Sequence, residues 1–198
     1  MLQVRNLSRP GLEPADLDLA AGEALALLGL SGSGKTLLLR AIADLDPNRG
    51  QVSLDGASRE SMSAPAWRRQ VTYLAAEPGW WSDQVADHFP EPEAGRALFA
   101  PLMLPATMME RPVAELSTGE RHRIALARVL VQSPKVLLLD EPTSGLDQGS
   151  TRAVEAMLRA RLADGAAVLF STHDEDLARR LGDREVRVRK GRVEGTTP

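Results

Sequence analysis

The chain has no cysteine, which excludes a disulfide framework, a thiolate metal site and a cysteine nucleophile. Aromatic residues are scarce, 4% of the chain, and none precedes Trp67. Apolar runs stop far short of the roughly 20 residues that a membrane span needs. The opening Met1-Leu2-Gln3-Val4-Arg5 lacks the charged-then-apolar layout of a signal peptide. A cytoplasmic location is therefore expected, and work at a membrane would need a separate anchor. Neither sign of charge dominates: a net charge of −3 gives no field favouring nucleic acid or an anionic membrane. No internal repeat or low-complexity tract is present. Arg outnumbers Lys 21 to 3, which reads as coding bias. What remains is ordinary for a globular protein, 43% hydrophobic and 26% charged, and 198 residues suffice for one well-buried domain with a small subdomain.

Against that plain background stands Gly29-Leu30-Ser31-Gly32-Ser33-Gly34-Lys35-Thr36. The apolar run Ala24 to Leu28 before it reads as a buried strand, and Leu37 to Ile42 after it as a helix. Strand, Gly-rich loop and helix with the spacing G-x-x-x-x-G-K-T make a phosphate-binding loop. Glycines let the backbone curl until successive N–H groups point at one anion, and the following helix adds its dipole. Lys35 supplies a point charge for the β- and γ-phosphates, and the Thr36 hydroxyl is placed to ligate Mg²⁺. A nucleoside triphosphate is the expected ligand.

Farther on, Val136-Leu137-Leu138-Leu139 runs into Asp140-Glu141. A buried strand of this kind delivers its acids to the crevice at the carboxyl ends of an open α/β sheet. Asp140 is expected to hold Mg²⁺, directly or through water, and Glu141 to reach the water that attacks the γ-phosphate. Strands alternating with helices predict a parallel-rich α/β sheet of the P-loop NTPase kind. Short strands at Leu2 to Leu7, Ala15 to Leu19 and 51–56 predict an antiparallel β flank. From Glu77 to about Leu116 the chain turns rich in Pro, Trp, Phe and Met, with helical patches expected around 94–100 and 105–109. The expected organisation is one domain over 1–198, a core of 1–76 and 117–198 interrupted by a small helical subdomain at 77–116.

Leu116-Ser117-Thr118-Gly119-Glu120 precedes a predicted helix, with Ser117 as N-cap and Glu120 completing a capping box. A helix start with a free Ser hydroxyl and the Gly119 backbone is a second anion site. These residues resemble the L-S-G-G-Q/E signature of ATP-binding cassette (ABC) ATPases. Ser144-Gly145-Leu146-Asp147 is similar to that family's D-loop and Ser171-Thr172-His173-Asp174 to its switch histidine. All stand in the family's order across essentially the whole chain. The resemblance implies ATP and Mg²⁺ as ligands and ATP hydrolysis as the activity. It implies a head-to-tail dimer in which the signature residues Ser117, Gly119 and Glu120 cover the nucleotide held by the partner's phosphate loop, with Asp147 also among the nucleotide-binding residues. It also implies that His173 contacts the γ-phosphate and orients the attacking water. His88 and His122 are read as ordinary structural histidines.

Three positions depart from the family pattern. Ala76, followed by Glu77, stands where a metal- and water-binding glutamine is usual, so Glu77 takes part of that role or hydrolysis runs without it. Thr118 replaces the first signature glycine. No aromatic residue is present to stack on adenine, a contact worth about 1–3 kcal/mol elsewhere, and Arg9 is the candidate substitute.

The resemblance further implies a transporter energy-coupling subunit working peripherally on a separate transmembrane permease, with no nucleic-acid partner. Within transporters the compact insert resembles small bacterial iron-export-type subunits. The alternatives are a soluble ABC ATPase in cofactor or complex assembly, and a nucleotide-binding module that hardly turns over. Of the adjacent Trp80 and Trp81, one is expected to face a partner.

Overall fold

The computed structural model describes residues 1–195; residues 196–198 of the expected domain lie outside the described residues. A four-stranded antiparallel sheet comprises β1 (Leu2–Arg9), β2 (Leu12–Leu19), β4 (Arg49–Leu54) and β5 (Ala57–Ser58), in the order β2-β1-β4-β5. A six-stranded sheet has the order β10-β9-β3-β8-β7-β6. Its strands are β3 (Ala24–Leu28), β6 (Val71–Leu74), β7 (Val136–Asp140), β8 (Ala167–Thr172), β9 (Arg184–Arg189) and β10 (Arg192–Glu194). All its pairings are parallel except the closing β9–β10 hairpin. The helices are α1 (Lys35–Ile42), α2 (Ala64–Gln70), α3 (Pro92–Ala97), α4 (Thr118–Leu130), α5 (Gln148–Ala163) and α6 (Glu175–Leu181).

Period-two alternation divides the core. Leu25, Leu27, Leu138 and Leu169 face one side of the large sheet and pack with α1 and the inner face of the antiparallel sheet. Ala26, Leu28, Leu137, Leu139, Val168 and Phe170 face the other side, against α4, α5, α6 and side chains of the 77–116 stretch. Both faces being covered explains why β3, β7 and β8 are buried at every position and read as continuous apolar runs.

Two elements differ from expectation. Strand β2 starts at Leu12 rather than Ala15, because Pro14 lies on an edge strand where its missing N–H costs no ladder bond. In the insert, the patch near 94–100 is the six-residue α3 followed by a 3₁₀ turn at Ala100–Leu102, and the patch near 105–109 is a 3₁₀ turn over Ala106–Glu110. Pro101 sits in the first of those turns and Pro105 caps the second, so each segment is cut to about one turn.

Candidate nucleotide site

The loop from β3 to α1 turns on two left-handed glycines, Gly32 at φ +75° and Gly34 at φ +113°. Gly29 is needed for another reason: a Cβ there would lie 2.7 Å from Ser33 Oγ. The turn between β9 and β10 braces the loop from below, with Gly191 N–H donating to Ser33 O at 2.7 Å. Gly191 O in turn accepts from Glu13 N–H at 2.8 Å, so the first hairpin, the last hairpin and the loop form one unit.

Lys35 is buried, 7% exposed, and its Nζ donates to Gly29 O at 2.6 Å and Leu30 O at 3.3 Å. The same Nζ lies 3.8 Å from Glu141 Oε1, while Glu141 Oε2 meets His173 Nδ1 at 2.9 Å. Glu141 has a left-handed backbone, φ +50°, fixed by its N–H donating to Ser171 O at 3.2 Å and Ser171 Oγ at 3.0 Å. A buried lysine, a carboxylate and an exposed imidazole thus converge where parallel strands end.

Asp140 lies beside them, 4% exposed. Its Oδ2 accepts the Thr36 hydroxyl at 2.6 Å and the Tyr73 hydroxyl at 3.1 Å, and its Oδ1 accepts the Ser171 hydroxyl at 2.5 Å. Burial and the neighbouring Asp140 carboxylate push the Tyr73 phenol above the usual tyrosine range, which keeps it a hydrogen-bond donor. Thr36, Asp140, Lys35, Glu141 and His173 line one cavity of about 840 Å³ with the loop backbone, Ser31 to Gly34 included. That volume suits a ligand of nucleotide size. Sequence reasoning missed Tyr73: only the β6–β7 register, with Tyr73 opposite Leu138, brings its ring within reach of Asp140.

The hard oxygen donors of Thr36 and Asp140 fit Mg²⁺, which keeps several waters and takes its remaining ligands from substrate phosphates. Among the described residues no cluster of three or more His, Asp or Glu could hold a metal by itself, so the donor set suits a metal arriving with a triphosphate.

Ser117, Gly119, Glu120 and Asp147 do not line this cavity. The capping box at α4 is formed, and it corrects the expectation of a free Ser117 hydroxyl. That hydroxyl donates to Glu120 Oε2 at 2.8 Å and accepts from Glu120 N–H at 3.3 Å. The Ser117 backbone N–H, then its hydroxyl, hold the Glu120 carboxyl below the usual range. Asp147 caps α5, accepting from Ser150 N–H at 2.9 Å and Ser150 Oγ at 2.7 Å. Ala76 faces the cavity, whereas Glu77 is exposed and outside its lining. Arg9 does not reach the cavity either, because its guanidinium is bound by Asp46. His122 Nε2 contacts Ala76 O, and buried His88 sits edge-on to Trp80 and Trp81, both structural positions as read from sequence. Trp80 packs on the core and Trp81 is 69% exposed.

A doubly covered parallel sheet, with a phosphate loop facing two strand-end carboxylates, defines a P-loop nucleotide-binding protein. The comparisons narrow this class: the model of the family described as ABC transporter matches residues 12–144, and the chain belongs to that family. The Fe(3+) ions import ATP-binding protein FbpC of Streptomyces coelicolor is 37% identical over 96% of this chain and 58% of its own length. The probable iron export ATP-binding protein FetA of Escherichia coli is 35% identical over 83% of this chain and 79% of its own. The chain thus spans under two thirds of the length of several curated relatives, FbpC among them. A solved ATP-binding cassette, dimeric and bound to ADP and Pi in a post-hydrolysis state, shares the fold with a TM-score of 0.84, 23% identity and full coverage of both chains.

Proposed function

We propose that this chain binds ATP with Mg²⁺ in the cavity above the phosphate loop and hydrolyses it. In this reading it works as one half of a head-to-tail dimer that powers a separate membrane permease. The observation that carries the reading is the meeting of Lys35, Glu141 and His173 beside the Thr36–Asp140 pair in one cavity.

The Ser31–Gly34 backbone cradles the phosphates, and Lys35 exchanges the carbonyls of Gly29 and Leu30 for β- and γ-phosphate oxygens. Thr36 and Asp140 would hold Mg²⁺, which would neutralise charge on the phosphate oxygens. Glu141 accepts a proton from the attacking water as its oxygen bonds to the γ-phosphorus and the bond to the β-phosphate oxygen breaks. His173, in contact with the Glu141 carboxylate, orients that carboxylate and the γ-phosphate. Ser117, Gly119, Glu120 and Asp147 act on the partner's nucleotide, consistent with their lying outside this chain's own cavity. The 77–116 stretch acts as the subdomain that meets the permease. Among the described residues no helix is long and apolar enough to cross a membrane, so that permease is another chain or another segment.

Phosphate release tests this directly. Glu141→Gln is expected to lose about 10²–10⁴-fold in hydrolysis rate, the range for general acid–base catalysis, while retaining ATP binding. An unchanged rate would remove Glu141 from the mechanism.

A further inference from the structure

We propose that Tyr73, with Ser171, is a positioning residue that fixes the Asp140 carboxylate for the magnesium ion, an inference that rests on the nucleotide-binding reading above. The geometry of three hydroxyls around one buried carboxylate carries it. Ser171 holds Oδ1 at 2.5 Å, and Thr36 and Tyr73 share Oδ2 at 2.6 and 3.1 Å. They come from three elements: Ser171 lies directly opposite Asp140 on β8, Tyr73 reaches across from β6, and Thr36 comes from α1.

Among the described residues no Lys, Arg or His comes within ion-pairing distance of Asp140. A buried carboxylate held only by neutral donors has its orientation set without a cation, which leaves the charge for an incoming one. The three donors are not equivalent. Thr36 lines the cavity and can turn its oxygen toward a metal or phosphate. Ser171, fully buried, and Tyr73, half-buried, lie outside the cavity lining and can keep their bonds when the site is loaded. Tyr73 and Ser171 thus act as outer-shell partners of the metal ligand, positions whose loss typically lowers metal affinity 10–100-fold.

The test compares Tyr73→Phe with the unaltered chain in binding a fluorescent ATP analogue, first with EDTA and then across a Mg²⁺ titration. Mn²⁺ occupancy is read separately by electron paramagnetic resonance. The expected result is EDTA affinity within about twofold and a half-saturating Mg²⁺ or Mn²⁺ concentration raised about tenfold or more. Ser171→Ala should shift it the same way. An unchanged metal requirement in folded Tyr73→Phe overturns the inference. So does an equal loss with and without metal, which marks a merely structural residue. If the unaltered chain binds nucleotide without any response to Mg²⁺, or binds none, the nucleotide–metal reading fails as well.

A second measurement needs no variant. Tyr73 is the only tyrosine, so isotope-labelled tyrosine gives one nuclear magnetic resonance signal. Mg²⁺ added to the ATP-loaded chain should move that signal. A signal that stays in place overturns the inference even if Tyr73→Phe does not fold.

Discussion

Asp46 stands between two guanidiniums, Arg9 on one side and Arg40 on the other. Its hydrogen bonds to Arg40, then to Arg9, hold its carboxyl well below the usual carboxylate range. Asp46→Asn is expected to lower unfolding free energy by roughly 1–2 kcal/mol, the value of a charge-assisted bond discounted for the partly exposed Arg40. The sign of the pH effect follows from the depressed native value. The stabilisation is complete above the unfolded-state value of about 3.9 and is lost as pH falls through the lower native one. Denaturation of both forms across pH should therefore show a constant gap near neutrality that closes in acid. A gap independent of pH would mean that the ion pairs do not stabilise the fold. The same contact engages Arg9 with a neighbour 37 positions away, a pairing invisible in the local sequence.

At the scale of elements, β3, α1, β7 and β8 were legible because each apolar run ends in chemistry with a fixed place: a glycine loop, two acids, or the Ser-Thr-His segment. The capping box of α4 was equally legible, since both partners lie within one turn. What escaped was set by distant pairing. Tyr73 reads as one more strand residue until β6 is laid beside β7, and the prolines of the insert announce breaks without saying that one-turn 3₁₀ segments result. The β9–β10 turn is another such case. Gly191, at φ +80°, approaches Gly11 so closely that a Cβ would stand 3.1 Å from the Gly11 carbonyl carbon. Gly191→Ala should push the turn away and break its bond to Ser33 O. Nucleotide affinity is expected to fall roughly tenfold, the combined effect of one hydrogen bond and left-handed strain. Equilibrium binding checks this, and unaltered affinity would show that the loop holds its shape without the brace.

At the scale of the whole molecule, one aromatic side chain, Trp81, stands exposed on the 77–116 stretch. Arg128 lies over Trp80 at 5.1 Å and Trp81 at 4.8 Å, yet Trp81 stays 69% exposed. Under the transporter reading this is where the permease engages. Trp81→Ala is expected to leave ATP binding within about twofold and to reduce recovery from membranes several-fold, since exposed aromatic anchors dominate many interfaces. The check is a mild-detergent pull-down from native membranes with identification of what accompanies each form. A polytopic membrane protein at equal stoichiometry would support the permease. Recovery with soluble proteins alone would favour an assembly ATPase.

The sheet order also bears on how the protein is made. Strand β3 carries the phosphate loop early in the chain, but its two neighbours are β8 and β9, and the turn beneath the loop is centred on Lys190 and Gly191. A ribosome delivers the loop before these supports. The loop therefore lacks its full set of supports until the segment through Gly191 has been made.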